Sequence, residues 1–234
     1  MEQYRNRLGQ WYDRKLGKLL PSNRLLAVLF CLALNSIVYW GAQTVTVGRP
    51  MLDMTTALDQ MIPLVPGWVT VYIFAYLFWA VGYVLLARGM EWYSVMTAEV
   101  MAKLVCGAFF LLVPTTNVRP ELGEDVFSQL LGMVYAADAA SNLFPSIHCL
   151  ESWICFSGLR NRRDIPRWYK LFSLVTALMI CASTVLIRQH VIADVIAGIL
   201  LAEGFLWLSR RQHMGSRLKK AMTTLDGLFF CKAH

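Results

Sequence analysis

Two histidines and an aspartate are the residues in this chain whose types and spacing best suit chemistry. His190 and Asp194 stand four apart in Arg188-Gln189-His190-Val191-Ile192-Ala193-Asp194. On a helix that spacing puts both side chains on one face, about one turn apart. The carboxylate can accept one imidazole N–H and leave the other ring nitrogen free as a base or nucleophile. His148 falls in the first turn of a helix opened by Pro145 and Ser146, residue types that suit a helix N-terminus. Free backbone N–H groups at such an end suit a phosphate. Arg119 can hold phosphate oxygens in a bidentate way, and Arg188 can add positive charge beside His190. The chemistry these residues suit is phosphoryl transfer. The plainer readings are a packed membrane histidine and interfacial arginines reaching for water. The His/Asp pair favours function, because ionisable groups inside a membrane are costly and mostly functional.

The elements that must position these residues are membrane helices. The chain has 234 residues, 57% of them hydrophobic and 16% charged, against about 45–50% and about 25% in soluble domains. Six apolar stretches approach the roughly 20 residues a spanning helix needs. They lie near Leu25–Gln43, Trp68–Ala87, Val95–Val113, Ser146–Leu159, Leu171–Ile187 and His190–Leu208. The fourth is short and carries His148 and Glu151, so length alone fits a re-entrant segment equally well. Charge favours spanning. Four basic groups fall on one side of a six-span arrangement: Arg5 to Arg24, Arg88, Arg160 to Arg167, and Arg210 to Lys220. The positive-inside rule then places both termini in the cytoplasm. Pro114–Glu121, Phe144–His148 and Arg188–Asp194 all fall at the opposite, outer face. The expected fold is all-α, an integral membrane six-helix bundle. Residues 1–23 form an amphipathic N-terminal segment, 24–209 the catalytic six-helix domain and 210–234 a basic cytoplasmic tail.

In the N-terminal segment, Tyr4, Leu8, Trp11, Tyr12, Leu16, Leu19 and Leu20 recur at helical spacing among basic residues. That pattern suits a helix lying on the inner membrane surface; a plain basic tail is the alternative. The segment lacks the compact apolar core and cleavage site of a signal peptide. Small size and the lack of a targeting sequence point to a bacterial inner membrane. The net charge of +7 is explained by cytoplasmic loops and does not call for nucleic acid, which would need a soluble basic face. The six cysteines show no metal-ligand spacing and read as small apolar packing residues. Glu99 and Lys103 stand four apart inside the third stretch and read as an inward ion pair, which Glu203 is placed to join. Glu151, one turn beyond His148, reads as tuning His148, contacting a headgroup, or structural.

Taken together, Arg119-Pro120, Pro145-Ser146-Ile147-His148, and Ser183-Thr184 followed by His190 and Asp194 resemble the three motifs of the type 2 phosphatidic acid phosphatase superfamily, KxxxxxxRP, PSGH and SRxxxxxHxxxD. The match extends to motif order and topology, over most of the chain. Three positions depart: Leu112 stands at the first motif's lysine, Ile147 at the second's glycine and Thr184 at the third's arginine. A PSxH motif with a basic residue two before the histidine also resembles the phosphotransferase branch, the inositol phosphorylceramide and sphingomyelin synthase-like proteins.

The resemblance implies a mechanism. His190 is the nucleophile that forms a phosphohistidine, Asp194 orients it, and His148 is the acid and base. Arg119, Arg188, Ser146 and Ser183 surround the phosphate. No metal or other cofactor is implied. The expected activity is a metal-independent lipid phosphatase at the extracytoplasmic face, acting on a phospholipid such as phosphatidic acid or phosphatidylglycerol phosphate, or on a polyprenyl phosphate. The rivals are a lipid phosphotransferase with an alcohol acceptor and a non-catalytic lipid-binding or transport relative. Intact His148, His190 and Asp194 argue against the last.

Overall fold

The structure is a computed structural model that describes residue 12, residues 15–17 and residues 20–229. The expected amphipathic segment lies almost wholly outside the described residues, as does the end of the tail. The described chain is mostly helical. Helix α1 runs Ser22–Thr46 and contains a π-helical turn at Ile37–Gly41. A short α2, Ala57–Met61, is closed by a capping box between Thr56 and Asp59. Then come α3 (Val69–Ala87), α4 (Trp92–Leu112), α5 (Val126–Ala137, capped by Asp125), α6 (Ile147–Leu159), α7 (Arg167–Leu186), α8 (Ile192–Arg211) and α9 (Gly215–Phe229). Two-residue strands β1 (Leu52–Asp53) and β2 (Thr115–Thr116) pair in parallel and join the loops after α1 and α4.

Among the described residues, five helices are long and apolar enough to cross a membrane: Ser22–Thr46, Pro66–Ala87, Trp92–Leu112, Arg167–Leu186 and Ile192–Arg211. Their outer faces expose large apolar side chains, among them Leu32, Leu77, Leu104, Leu171 and Leu200. A soluble protein does not leave so much apolar surface in water; the chain is built as a multi-pass membrane protein. The remaining expected span is α6. At 13 residues it is about 20 Å long, short of the roughly 30 Å hydrocarbon core. It runs through the middle of the bundle, against α3, α4, α7 and α8. Nine of its residues are buried, including Glu151, Ser152 and Ser157. Enclosure by protein rather than lipid is what lets this helix be both short and polar.

One end of the bundle gathers basic side chains. Arg24 donates to the carbonyls of Ala87 and Gly89, and Arg162 to that of Leu85. The start of α1, the end of α3 and the α6–α7 loop therefore meet there. His148, His190 and Arg119 lie at the other end, where the Asn117 amide donates to the Arg188 carbonyl at 2.9 Å.

The approach of α8 to α6 depends on a glycine. A Cβ on Gly198 would stand 2.6 Å from the Ser146 carbonyl oxygen and 3.2 Å from the Leu150 nitrogen. Both are backbone atoms that cannot swing aside. Gly198→Ala is expected to push α8 off the first turn of α6 and lower stability by about 1–3 kcal/mol, read as an earlier thermal unfolding transition in detergent. An unchanged transition would mean the helices have slack the structure does not display.

Candidate active site

Three separate segments converge at the start of α6 and α8. Ser146 is the N-cap of α6, and its hydroxyl accepts from the Cys149 amide at 3.3 Å. Its own N–H donates to the Asp194 carbonyl at 3.1 Å, which locks the first turn of α6 to that of α8. His190 precedes α8 in a turn set by the end of α7: the Thr184 carbonyl accepts from the amides of Gln189 (2.9 Å) and His190 (3.0 Å). A third tie comes from far away in sequence. The Asp59 carboxylate accepts from the Ile192 amide at 2.8 Å, so α2 caps α8. Burial pushes the Asp59 carboxyl up, but hydrogen bonds from Thr56 and Ile192 and the charge of Arg188 outweigh it, and the group is held below the usual carboxylate range. Asp59 is ionised wherever the protein is folded near neutral pH.

His190 Nδ1 and Asp194 Oδ2 are 3.1 Å apart, and the same carboxylate oxygen accepts from the Val191 amide at 3.1 Å. With a carboxylate as its partner, Nδ1 carries the ring hydrogen and Nε2 keeps the lone pair. Asp194 is buried, with 1% of its surface exposed. Across from His190, the His148 ring stacks on Tyr72 (centroids 4.3 Å apart, planes at 20°) and leans on Trp79 at 5.1 Å. Its Nε2 is buried and has no hydrogen-bond partner among the described residues. The two imidazole centroids are 6.4 Å apart. That separation admits a phosphoryl group within reacting distance of both rings, about 3–3.5 Å from each. Both histidines line a cavity of about 720 Å³.

The residues expected around the phosphate divide. Arg119 stays at the edge of the site. It donates to the Tyr135 carbonyl at 3.1 Å and to Gln189 Oε1, and lies over the Tyr135 ring at 4.3 Å. Gln189 in turn lines the cavity beside His190. Arg188 is different. Its φ of 55° lies in the left-handed region, and its guanidinium leaves the cavity to donate to the carbonyls of Asp59, Gln60 and Ile62. Added charge beside the nucleophile is therefore replaced by a clamp on α2. The Ser183 hydroxyl donates back to the Ile180 carbonyl at 2.7 Å and is fully buried, which keeps it inside α7.

One expectation about an acidic residue is corrected. Glu203 does not join Glu99 and Lys103. It accepts from Arg160 (2.6 and 2.9 Å), Trp153 (2.7 Å) and Ser157 (2.6 Å) near the basic end. The partner is Glu151, whose Oε1 lies 2.6 Å from Lys103 Nζ. The structure also brings in residues that spacing did not single out. Asp138 takes the hydroxyls of Tyr39 and Tyr72, the latter at 3.4 Å, and lines the cavity with them. Among the described residues, no group of three His, Cys, Asp or Glu side chains could hold a metal ion.

Fold and composition define a helical protein of membrane-crossing type, with two histidines facing each other across one cavity. The family model of the PAP2 superfamily matches residues 24–217, and the chain belongs to that superfamily. It is thus a membrane enzyme of the phosphatase and phosphotransferase type. No match was found among curated proteins or among solved structures.

Proposed function

We propose that this protein is a metal-independent lipid phosphatase working through a phosphohistidine on His190. One observation carries the reading: His190, oriented by Asp194 at 3.1 Å, faces His148 across 6.4 Å in one cavity. The His190 Nε2 lone pair attacks phosphorus, and the bond from phosphorus to the lipid oxygen breaks. A proton on His148 Nε2 passes to that oxygen, so the lipid alcohol leaves neutral. His148 then takes a proton from water, whose oxygen attacks phosphorus. The P–N bond breaks, inorganic phosphate is released and His190 is restored. Asp194 stabilises the charge His190 acquires. Arg119 and the N–H groups at the start of α6, capped by Ser146, hold the phosphoryl oxygens. Arg188 and Ser183 act by position, through α2 and α7.

In this reading α6 is the short fourth span of a six-span catalytic domain over 24–209. Residues 210–234 form the cytoplasmic tail. Both termini are cytoplasmic, and the site faces the extracytoplasmic side of the cell membrane. The clustering of Arg24 and Arg162 at the bundle end away from His148 supports that orientation. The substrate is a membrane phospholipid or a polyprenyl phosphate.

The test is phosphate release from lipid phosphates by the purified protein in detergent with EDTA present. Release that persists in EDTA is the expected result. Transfer of the phosphorylated headgroup to a second lipid or alcohol without release would make it a phosphotransferase using the same histidines. Lipid binding with neither reaction would overturn the enzymatic reading.

A further inference from the structure

Below the histidines the same cavity has a second polar region. Glu99, Lys103, Glu151 and Tyr83 all line it. Glu99 and Lys103 are 1% exposed and Glu151 6%, in the interior of a helix bundle where charge is costly. Glu151 follows His148 by three residues on α6, about 4.5 Å along the helix axis. A lipid whose phosphorus sits between the histidines would therefore present its first few carbons near this cluster.

With both carboxyls ionised, the ammonium and hydroxyl hydrogens of the cluster fall one short of its carboxylate and carbonyl oxygens. Lys103 Nζ donates to Glu99 Oε1 and Glu151 Oε1, each at 2.6 Å, and points its remaining capacity at the Cys31 carbonyl at 3.4 Å. The other oxygen of each carboxylate, Glu99 Oε2 at 2.7 Å and Glu151 Oε2, meets the same Tyr83 hydroxyl. A hydroxyl has one hydrogen. It serves one of these oxygens and leaves the other, among the described residues, without a hydroxyl or ammonium hydrogen. A buried acceptor left so is unfavourable by about 1–3 kcal/mol.

We infer that this cluster is a specificity site for lipid phosphates carrying a hydrogen-bond donor, a hydroxyl or an amide or amine N–H, on the carbons next to the phosphate. The donor completes the hydrogen bonding of the two carboxylates. Lipid phosphates with only hydrocarbon or ester oxygens there bring no hydrogen and bind less well. The inference rests on the reading that this cavity receives the lipid. Residues that line the cavity from α1 (Leu32, Trp40) and from α3 (Tyr76) are also 57%, 63% and 57% exposed. The cavity thus opens sideways between these helices, and acyl chains can enter from the bilayer.

The experiment separates binding from turnover. Displacement of a fluorescent lipid is measured on His190→Ala protein, with three competitors of matched chain length in the same mixed micelles. These are a monoacylglycerol phosphate with a free hydroxyl, a diacylglycerol phosphate and a plain alkyl phosphate. A sphingoid-base phosphate is a fourth, to distinguish an amine donor from a hydroxyl. The expected result is binding about tenfold or more tighter for the donor-bearing lipids, the equivalent of one hydrogen-bonded buried acceptor. Glu151→Gln and Glu99→Gln each replace a carboxylate oxygen by an NH2 of nearly the same shape. In either, the preference falls toward one, and in an otherwise wild-type background the loss appears in KM rather than kcat. Equal binding of all competitors, or a preference that survives both glutamines, overturns the inference; the missing hydrogen is then a proton held on a carboxyl. A preference in binding with no phosphate release from any lipid overturns the phosphatase reading and leaves this site standing.

Discussion

Replacing His190 by Ala is expected to lower phosphate release from lipid substrates by about four orders of magnitude or more, the scale seen when a covalent nucleophile is removed. His190 Nδ1 is engaged with Asp194 at 3.1 Å, and no other group of the turn stands beside it to attack in its place. Arg188 is turned to α2 and Gln189 is held by Arg119. The loss is of the covalent route, so two readouts must fall together. Rapid acid-free quenching of the wild type with phosphate-labelled lipid should trap label on the protein, stable to alkali and labile to acid. The variant should carry none. The fold should survive, because Val191 still donates to Asp194 and the Asp59 cap on α8 is untouched. Full activity in the variant would sink the mechanism. Label without His190 would move the nucleophile elsewhere.

The second large effect belongs to His148→Ala, expected to cost about 10²–10⁴ in kcat, the range for a lost general acid and base. The two halves of the reaction let that role be separated from simple packing. The ring fills an aromatic box of Tyr72, Tyr76 and Trp79, so its removal also leaves a void. A void would slow every substrate alike. Loss of a proton donor would not: a phosphate ester with a good leaving group needs no proton from His148 in the first half. The expected outcome is that such an ester restores formation of the phosphorylated protein, while its hydrolysis stays slow for want of a base, so labelled protein accumulates. Equal slowing with good and poor leaving groups would assign His148 to packing.

How much of this could be read from the residues alone depends on the range of the interaction. The pairing of His190 with Asp194 and the capping by Ser146 are contacts within one turn, and spacing fixes those. Five apolar helices are legible for the same reason, since a lipid-facing helix repeats its character along its length. The cap on α8 was not legible, because it comes from Asp59, in another loop. The direction of Arg188 was not legible either. A non-glycine residue with positive φ reverses where its side chain points, and nothing in its type announces that. Glu151 and Lys103 lie on different helices, and which of two acidic partners completes an inward pair is decided by helix rotation and depth. Glu203 was the wrong choice because it lies low on α8, level with Arg160.

The sideways opening between α1 and α3 has a kinetic consequence. An enzyme fed through such a seam samples its substrate in two dimensions. Its rate should follow the mole fraction of lipid phosphate in the surrounding film, not the amount per volume of solution. Adding inert detergent or phospholipid at constant total substrate should then slow it by surface dilution alone. Bulk assays that leave this ratio free would report different apparent KM values for one unchanged protein.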